Sequence, residues 1–136
     1  MYKEHINLGA ANEEIREFTY KVQSKFNYSI PEEYLNFLKE VNGIEFNGFI
    51  IYGIDQELLE HEVNQQINGL ISFNEIWYEN ESQRQYIFLG ESNISWYCFD
   101  LLKGEYVELD NPSGSFVGNY DNFYSMVEKI LEDSLL

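Results

Sequence analysis

Positive charge is scarce in this chain of 136 residues: eight lysines and arginines stand against 24 aspartates and glutamates, a formal net charge of −16. So few bases exclude a nucleic-acid binder, because a phosphate backbone has to be neutralised by lysine and arginine. An anionic membrane surface is excluded on the same grounds. Cys98 is the sole cysteine, so no internal disulfide can form and no second thiol is present to share a metal. It is expected to be a buried structural thiol. No run approaches the ~20 apolar residues that span a bilayer. Met1-Tyr2-Lys3-Glu4-His5 does not open an apolar signal sequence. These features predict a soluble, cytoplasmic protein. With no linker and no internal repeat, the length suits one domain over residues 1–136.

Aromatic residues, by contrast, are abundant. They make up 17% of the chain, with eleven tyrosines and ten phenylalanines, so large rings should supply much of the core. The acids are unevenly spread. Residues 45–110 hold thirteen of them against Arg84 and Lys103, a net of −11, whereas residues 1–44 carry only −2. Such a field attracts basic proteins over a Debye length of about 8 Å. Composition alone is equally consistent with acidity that serves solubility.

Apolar spacing predicts a first helix over Glu13–Phe26, with Asn12 as N-cap and Ile15, Phe18, Val22 and Phe26 on one face. A second follows in Ser29-Ile30-Pro31-Glu32-Glu33-Tyr34-Leu35-Asn36-Phe37-Leu38-Lys39-Glu40-Val41-Asn42-Gly43. There Ser29 and Glu32 have capping-box spacing, Tyr34, Leu38 and Val41 form an apolar stripe, and Asn42-Gly43 is the stop. Phe49–Ile54 reads as a strand after the turn pair Asn47-Gly48, and residues 56–66 as a short helix. Over 73–80 periodicity does not separate helix from strand, and helix is favoured. Strands at 86–90, 96–100 and 106–109 form a meander whose second corner is Lys103-Gly104. Residues 111–115 are a turn cluster, and 120–131 a closing helix. The expected class is α+β: a mostly antiparallel central sheet flanked by an N-terminal helix pair and a C-terminal helix.

The string IPEEYLNFLKEVNG resembles the signature of the SUKH superfamily, a group of fungal cell-wall regulators and bacterial immunity proteins. The likeness extends to YIFLGESNISWYCFDLLKGEYVELD and to the closing NYDNFYSMVEKIL. Relatives often have a glycine-rich turn before the aromatic strand, where this chain has Glu91-Ser92-Asn93-Ile94-Ser95. The resemblance implies the same α+β layout.

Catalytic chemistry finds little support. Glu57, His61 and Glu62 could lie together, but a metal site needs more convergent ligands. Cys98 sits inside an aromatic strand with no histidine near it in sequence. No phosphate loop, dinucleotide fingerprint, nucleophile elbow or C-x-x-C pair occurs. The expectation is no enzyme, no metal and no cofactor, with a small carboxylate-based hydrolase as the outlying option.

The resemblance implies an immunity protein that binds the toxic domain of a cognate polymorphic toxin. A nuclease toxin needs a basic active surface, which an acidic partner complements. A regulatory scaffold, as among the fungal members, is the alternative; those relatives carry long disordered arms, which are not expected here. The expected partner-binding acids are Glu45, Asp55, Glu57, Glu91, Glu105, Glu108 and Asp110. Alternation sets Glu105, Val107 and Leu109 on one strand face and Tyr106, Glu108 and Asp110 on the other. Glu108 and Asp110 are the expected exposed pair.

Overall fold

A computed structural model describes residues 4–55, 58–59 and 69–135. The elements run β1 (Glu4–Leu8), α1 (Asn12–Phe26), α2 (Glu32–Glu40), β2 (Val41–Phe46), β3 (Phe49–Ile51), α3 (Leu70–Trp77), β4 (Tyr86–Glu91), β5 (Ser95–Asp100), β6 (Glu105–Asp110), β7 (Phe116–Tyr120) and α4 (Phe123–Ser134). All seven strands join one antiparallel sheet in chain order. The predicted α+β class, helix pair and closing helix are present.

Ring contacts fix the layers. Tyr34 of α2 packs on Phe123 of α4 at 4.9 Å, and Phe123 meets Tyr106 of β6. Trp77 of α3 stacks on Phe88 at 5.2 Å and meets Trp96 edge-on at 4.8 Å. Phe88 pairs with Cys98 and Cys98 with Val107, the neighbour of Tyr106. Side chains alternate along a strand, so α3 covers the sheet face opposite α2 and α4. A sheet covered on both sides reads as near-continuous burial, and β5 shows it: Ser95 through Cys98 are all buried.

Several predicted boundaries move. The second helix starts at Glu32 after Pro31, with no side-chain cap; the Ser29 hydroxyl donates to Gln23 Oε1 instead. The Ser29–Glu32 capping box is therefore not formed. At α1 the N-cap is Ala11 rather than Asn12, and Glu14 reaches back to accept the Ala11 N–H at 2.7 Å. Val41 does not extend the stripe of α2. It turns directly into β2 and is only half-buried, whereas Tyr34 and Leu38 are fully buried as predicted. Strand propensity in Val41-Asn42-Gly43-Ile44 is interrupted by two turn residues, which disguises it as a helix stop.

The predicted strand at 49–54 leaves the ladder after Ile51. Strands β1, β2 and β7 were not predicted. The helix expected at 56–66 falls mostly outside the described residues, and α3 starts at Leu70, three residues before the expected position. Ser92 does the work of the missing glycine turn: its hydroxyl oxygen accepts the N–H groups of Ile94 and Ser95.

The run Tyr52–Asp55 is buried although it is not in regular structure. Each of its polar groups that lacks a strand partner needs another. The Tyr34 hydroxyl donates to the Tyr52 carbonyl at 2.6 Å, and the Ile54 N–H donates to Asn42 Oδ1 at 2.6 Å. Gly53 packs so closely that a Cβ there would lie 2.4 Å from the Asn42 carbonyl oxygen.

Two substitutions test this core. Leu38→Ala should cost about 2–5 kcal/mol through lost burial and a cavity. Asn42→Ala should cost about 1–3 kcal/mol by stranding the Ile54 N–H. Chemical denaturation should show lower midpoints for both; an unchanged midpoint would contradict the assigned packing.

Candidate partner-binding surface

The six described acids of the seven expected to bind a partner do not form one surface. Glu57 lies outside the described residues. Asp55 is only 3% exposed and serves the start of α3, accepting the N–H groups of Ile71 (3.0 Å) and Ser72 (2.9 Å) and the Ser72 hydroxyl (2.8 Å). A carboxylate at a helix N-terminus satisfies orphan donors and complements the dipole. Asp55 also crowds Gly69, where a Cβ would fall 2.2 Å from its Oδ1. It is an architectural residue, and its expected exposure is not found.

Glu108 departs from expectation in the same way. It is 7% exposed and lies on the helix-covered face, as its pairing with Tyr97 requires. Its carboxylate accepts the Ser95 hydroxyl and the Tyr120 hydroxyl, each at 2.5 Å. The network crosses three strands, from β5 through β6 to β7. The alternation along β6 is as predicted, but the face carrying Glu108 is the one that α4 covers. Glu108 with Asp110 is therefore no exposed pair, and charge reversal at Glu108 would report on the fold rather than on a surface.

The other four acids are half-buried. Asp110 shapes the turn after β6, accepting the Ser113 hydroxyl at 2.6 Å. Glu105, at the start of β6, accepts Asn119 Nδ2 at 3.4 Å. Glu45 and Glu91 both pair with Ile50 and so share a sheet face, flanking β3. Burial pushes the Glu91 carboxyl above its ordinary value. Asp100, which was not singled out, is also buried and accepts the N–H groups of Leu102 and Lys103 at the β5–β6 corner. Three acids of the −11 block thus point inward.

Among the described residues the exposed acids lie elsewhere: Glu13 and Glu17 on α1, Glu32 and Glu40 at the two ends of α2, Glu75, Glu79 and Glu81 around and after the end of α3, and Asp121, Glu128 and Glu132 around α4. Glu75 is paired with Lys25 at 3.1 Å. Lys129 is the only base between residues 111 and 136, and Asp133 binds it with both carboxylate oxygens, at 2.5 and 2.6 Å. On the strand that precedes α4, Phe116 and Val117 of β7 are 60% and 54% exposed. Sequence reading missed this region because Gly118 and Asn119 break the strand pattern of Phe116–Tyr120.

Other chemistry is sparse among the described residues. They contain no group of three or more histidine, cysteine or acidic side chains able to hold a metal ion, and no helix long and apolar enough to cross a membrane. His5 lies on β1, and His61 is outside the described residues. Cys98 is buried, and burial holds its thiol well above the ordinary value, away from the thiolate that a nucleophile requires.

Burial also raises a set of tyrosines: Tyr78 and Tyr97 to about 12, and Tyr34, Tyr52 and Tyr120 further still. At Tyr120 the hydrogen bond to Glu108 adds to the effect of burial. A phenol with a raised folded value holds its proton more tightly folded than unfolded. Its stabilising contribution is complete below about pH 10, the ordinary tyrosine value, and is lost as pH rises through the folded value. Tyrosinate absorbance should therefore show a late, cooperative component coincident with alkaline unfolding; simple titration of every tyrosine near pH 10 would contradict the burial. Glu108→Lys should destabilise markedly more than Glu108→Gln, since a buried ammonium would face the same two hydroxyls.

The SUKH family model described as SMI1-KNR4 cell-wall matches residues 13–125. No curated protein sequence matches the chain. The matched stretch spans α1 to the first turn of α4, including Tyr34 and Asn42, whose side chains secure the buried run after β3. By that match over most of its length, the chain belongs to the SUKH superfamily.

Proposed function

We propose that this protein is an immunity protein, which binds the toxic domain of a cognate polymorphic toxin and blocks it by stoichiometric occlusion. The observation that carries the reading is the charge of −16 on a SUKH domain. Four acids to one base over residues 111–136 leave Glu128 and Glu132 exposed with no spare cation in their own segment. A nuclease toxin suits such a surface, because an active site that holds phosphates has to be basic. Complementary charge speeds encounter and selects among partners. On this reading the protein acts by contact and has no catalytic role, in keeping with the buried, proton-bearing Cys98.

The test is co-expression with the toxic domain of the toxin encoded beside this gene, together with a binding assay on the purified pair. Restored growth, a one-to-one complex and an association rate that falls as salt rises are expected. Absence of both binding and protection would reject the proposal.

A further inference from the structure

Strand β7 ends the sheet: it pairs with β6 and, among the described residues, with nothing beyond. Exposed edges are ordinarily guarded by lysine, proline, charge or a bulge. Phe116-Val117-Gly118-Asn119-Tyr120 carries no lysine, proline or charged residue. Its one guard is a bulge, which stops short of Gly118. Leu109 pairs with Phe116 and Glu108 with Gly118, so Val117 is the extra residue, and the shift leaves Phe116 and Val117 both largely exposed. From Gly118 to Tyr120 the pairing is regular again, so the outer side of that stretch is an open ladder.

Helix α4 adds to this edge. Tyr124 and Leu131 are 48% and 40% exposed. Tyr120, Ser125, Glu128, Lys129 and Glu132 line a depression between the end of β7 and α4. Glu128 and Glu132 are four residues apart and so neighbours on one helix face. The Lys129 charge is taken up by Asp133, so a cation that enters this depression meets two carboxylates.

We propose that the β7 edge and the adjoining face of α4 dock an extended, basic segment of a partner protein. The segment adds as a further strand along Gly118–Tyr120, covers Phe116 and Val117, and sets a lysine or arginine between Glu128 and Glu132. Backbone pairing gives affinity in such strand addition, and side-chain pockets give register. A second copy of this chain fits poorly, because edge-to-edge pairing would bring like-charged α4 helices together. The proposal deepens the partner-binding reading by naming its surface.

The experiment is an amide NMR titration of the full chain with a short synthetic peptide of alternating valine and lysine, and with its valine–glutamate counterpart. The basic peptide should shift β7 amides and those around Glu128 and Glu132, with the effect weakening as salt is raised. The double variant Glu128→Lys/Glu132→Lys should bind it about tenfold less tightly or worse. Both positions are solvent-exposed, so an unchanged circular dichroism spectrum will confirm that the variant folds. Absent shifts, shifts centred elsewhere, equal binding of the acidic peptide, or concentration-dependent β7 shifts without peptide (pairing of two copies) would each overturn the assignment. The same variant tested against the toxic domain separates the two proposals. Undiminished toxin binding would reject this edge while sparing the immunity reading; peptide docking on β7 without toxin binding would do the reverse.

Discussion

The structure depends on the burial of an irregular backbone. After β3 the chain leaves the ladder at Tyr52 but stays in the core, and buried amides without partners would cost far more than the packing gains. The deficit is met one group at a time. Tyr52 N–H donates to the Leu89 carbonyl, and the Tyr52 carbonyl receives the Tyr34 hydroxyl. Gly53 accepts the Leu70 N–H, Ile54 is held by Asn42, and the Asp55 carboxylate collects the first amides of α3. This short run therefore joins α2, β2, β4 and α3, and it fixes how the helix layers sit on either side of the sheet.

A second polar anchor works on the α3 side. Asn74 Nδ2 donates to the Phe88 carbonyl at 2.9 Å while its Oδ1 accepts the Phe88 N–H at 2.7 Å. That exchange imitates a strand partner next to the irregularity in β4, where pairing shifts between Phe88 and Gly90. Glu108 bridges β5 and β7 through two hydroxyls on the opposite face. Buried acids and amides here replace missing backbone partners, so a count of carboxylates overstates the negative surface. Among the described residues, the acids that reach solvent lie around helix ends and on α1 and α4 instead.

What the sequence revealed and what it hid follow from this arrangement. Amphipathic spacing marked α1 and α4 well, and β-branched and aromatic runs marked β4, β5 and β6. The turn pair Asn47-Gly48, with φ of 50° and 84°, marked the corner between β2 and β3. Val41–Phe46 was hidden because Asn42 and Gly43 look like a helix stop. Asn42 is in fact held there by a contact twelve residues away, which no local pattern reports. Glu108 was misplaced for a related reason. Alternation gives two faces but does not say which one a helix will cover, and here helices cover both.

Two residues of the string that made the family recognisable, Tyr34 and Asn42, satisfy the buried run. A signature built from such contacts identifies the fold and leaves the partner open. On the immunity reading proposed above, specificity for a partner would come from side chains free of those duties. Tyr34, Asn42, Asp55, Asn74 and Glu108 are all committed to backbone or hydroxyl groups within the fold. Phe116, Val117, Glu128 and Glu132 have no such structural task and stand at the open end of the sheet. Glu128 and Glu132 also lie beyond residue 125, where the family match ends. Substitution at these four positions leaves the hydroxyl of Tyr120 on Glu108 and the ring of Phe123 against Tyr34 in place, so the exposed side chains of this edge can vary while the scaffold is kept.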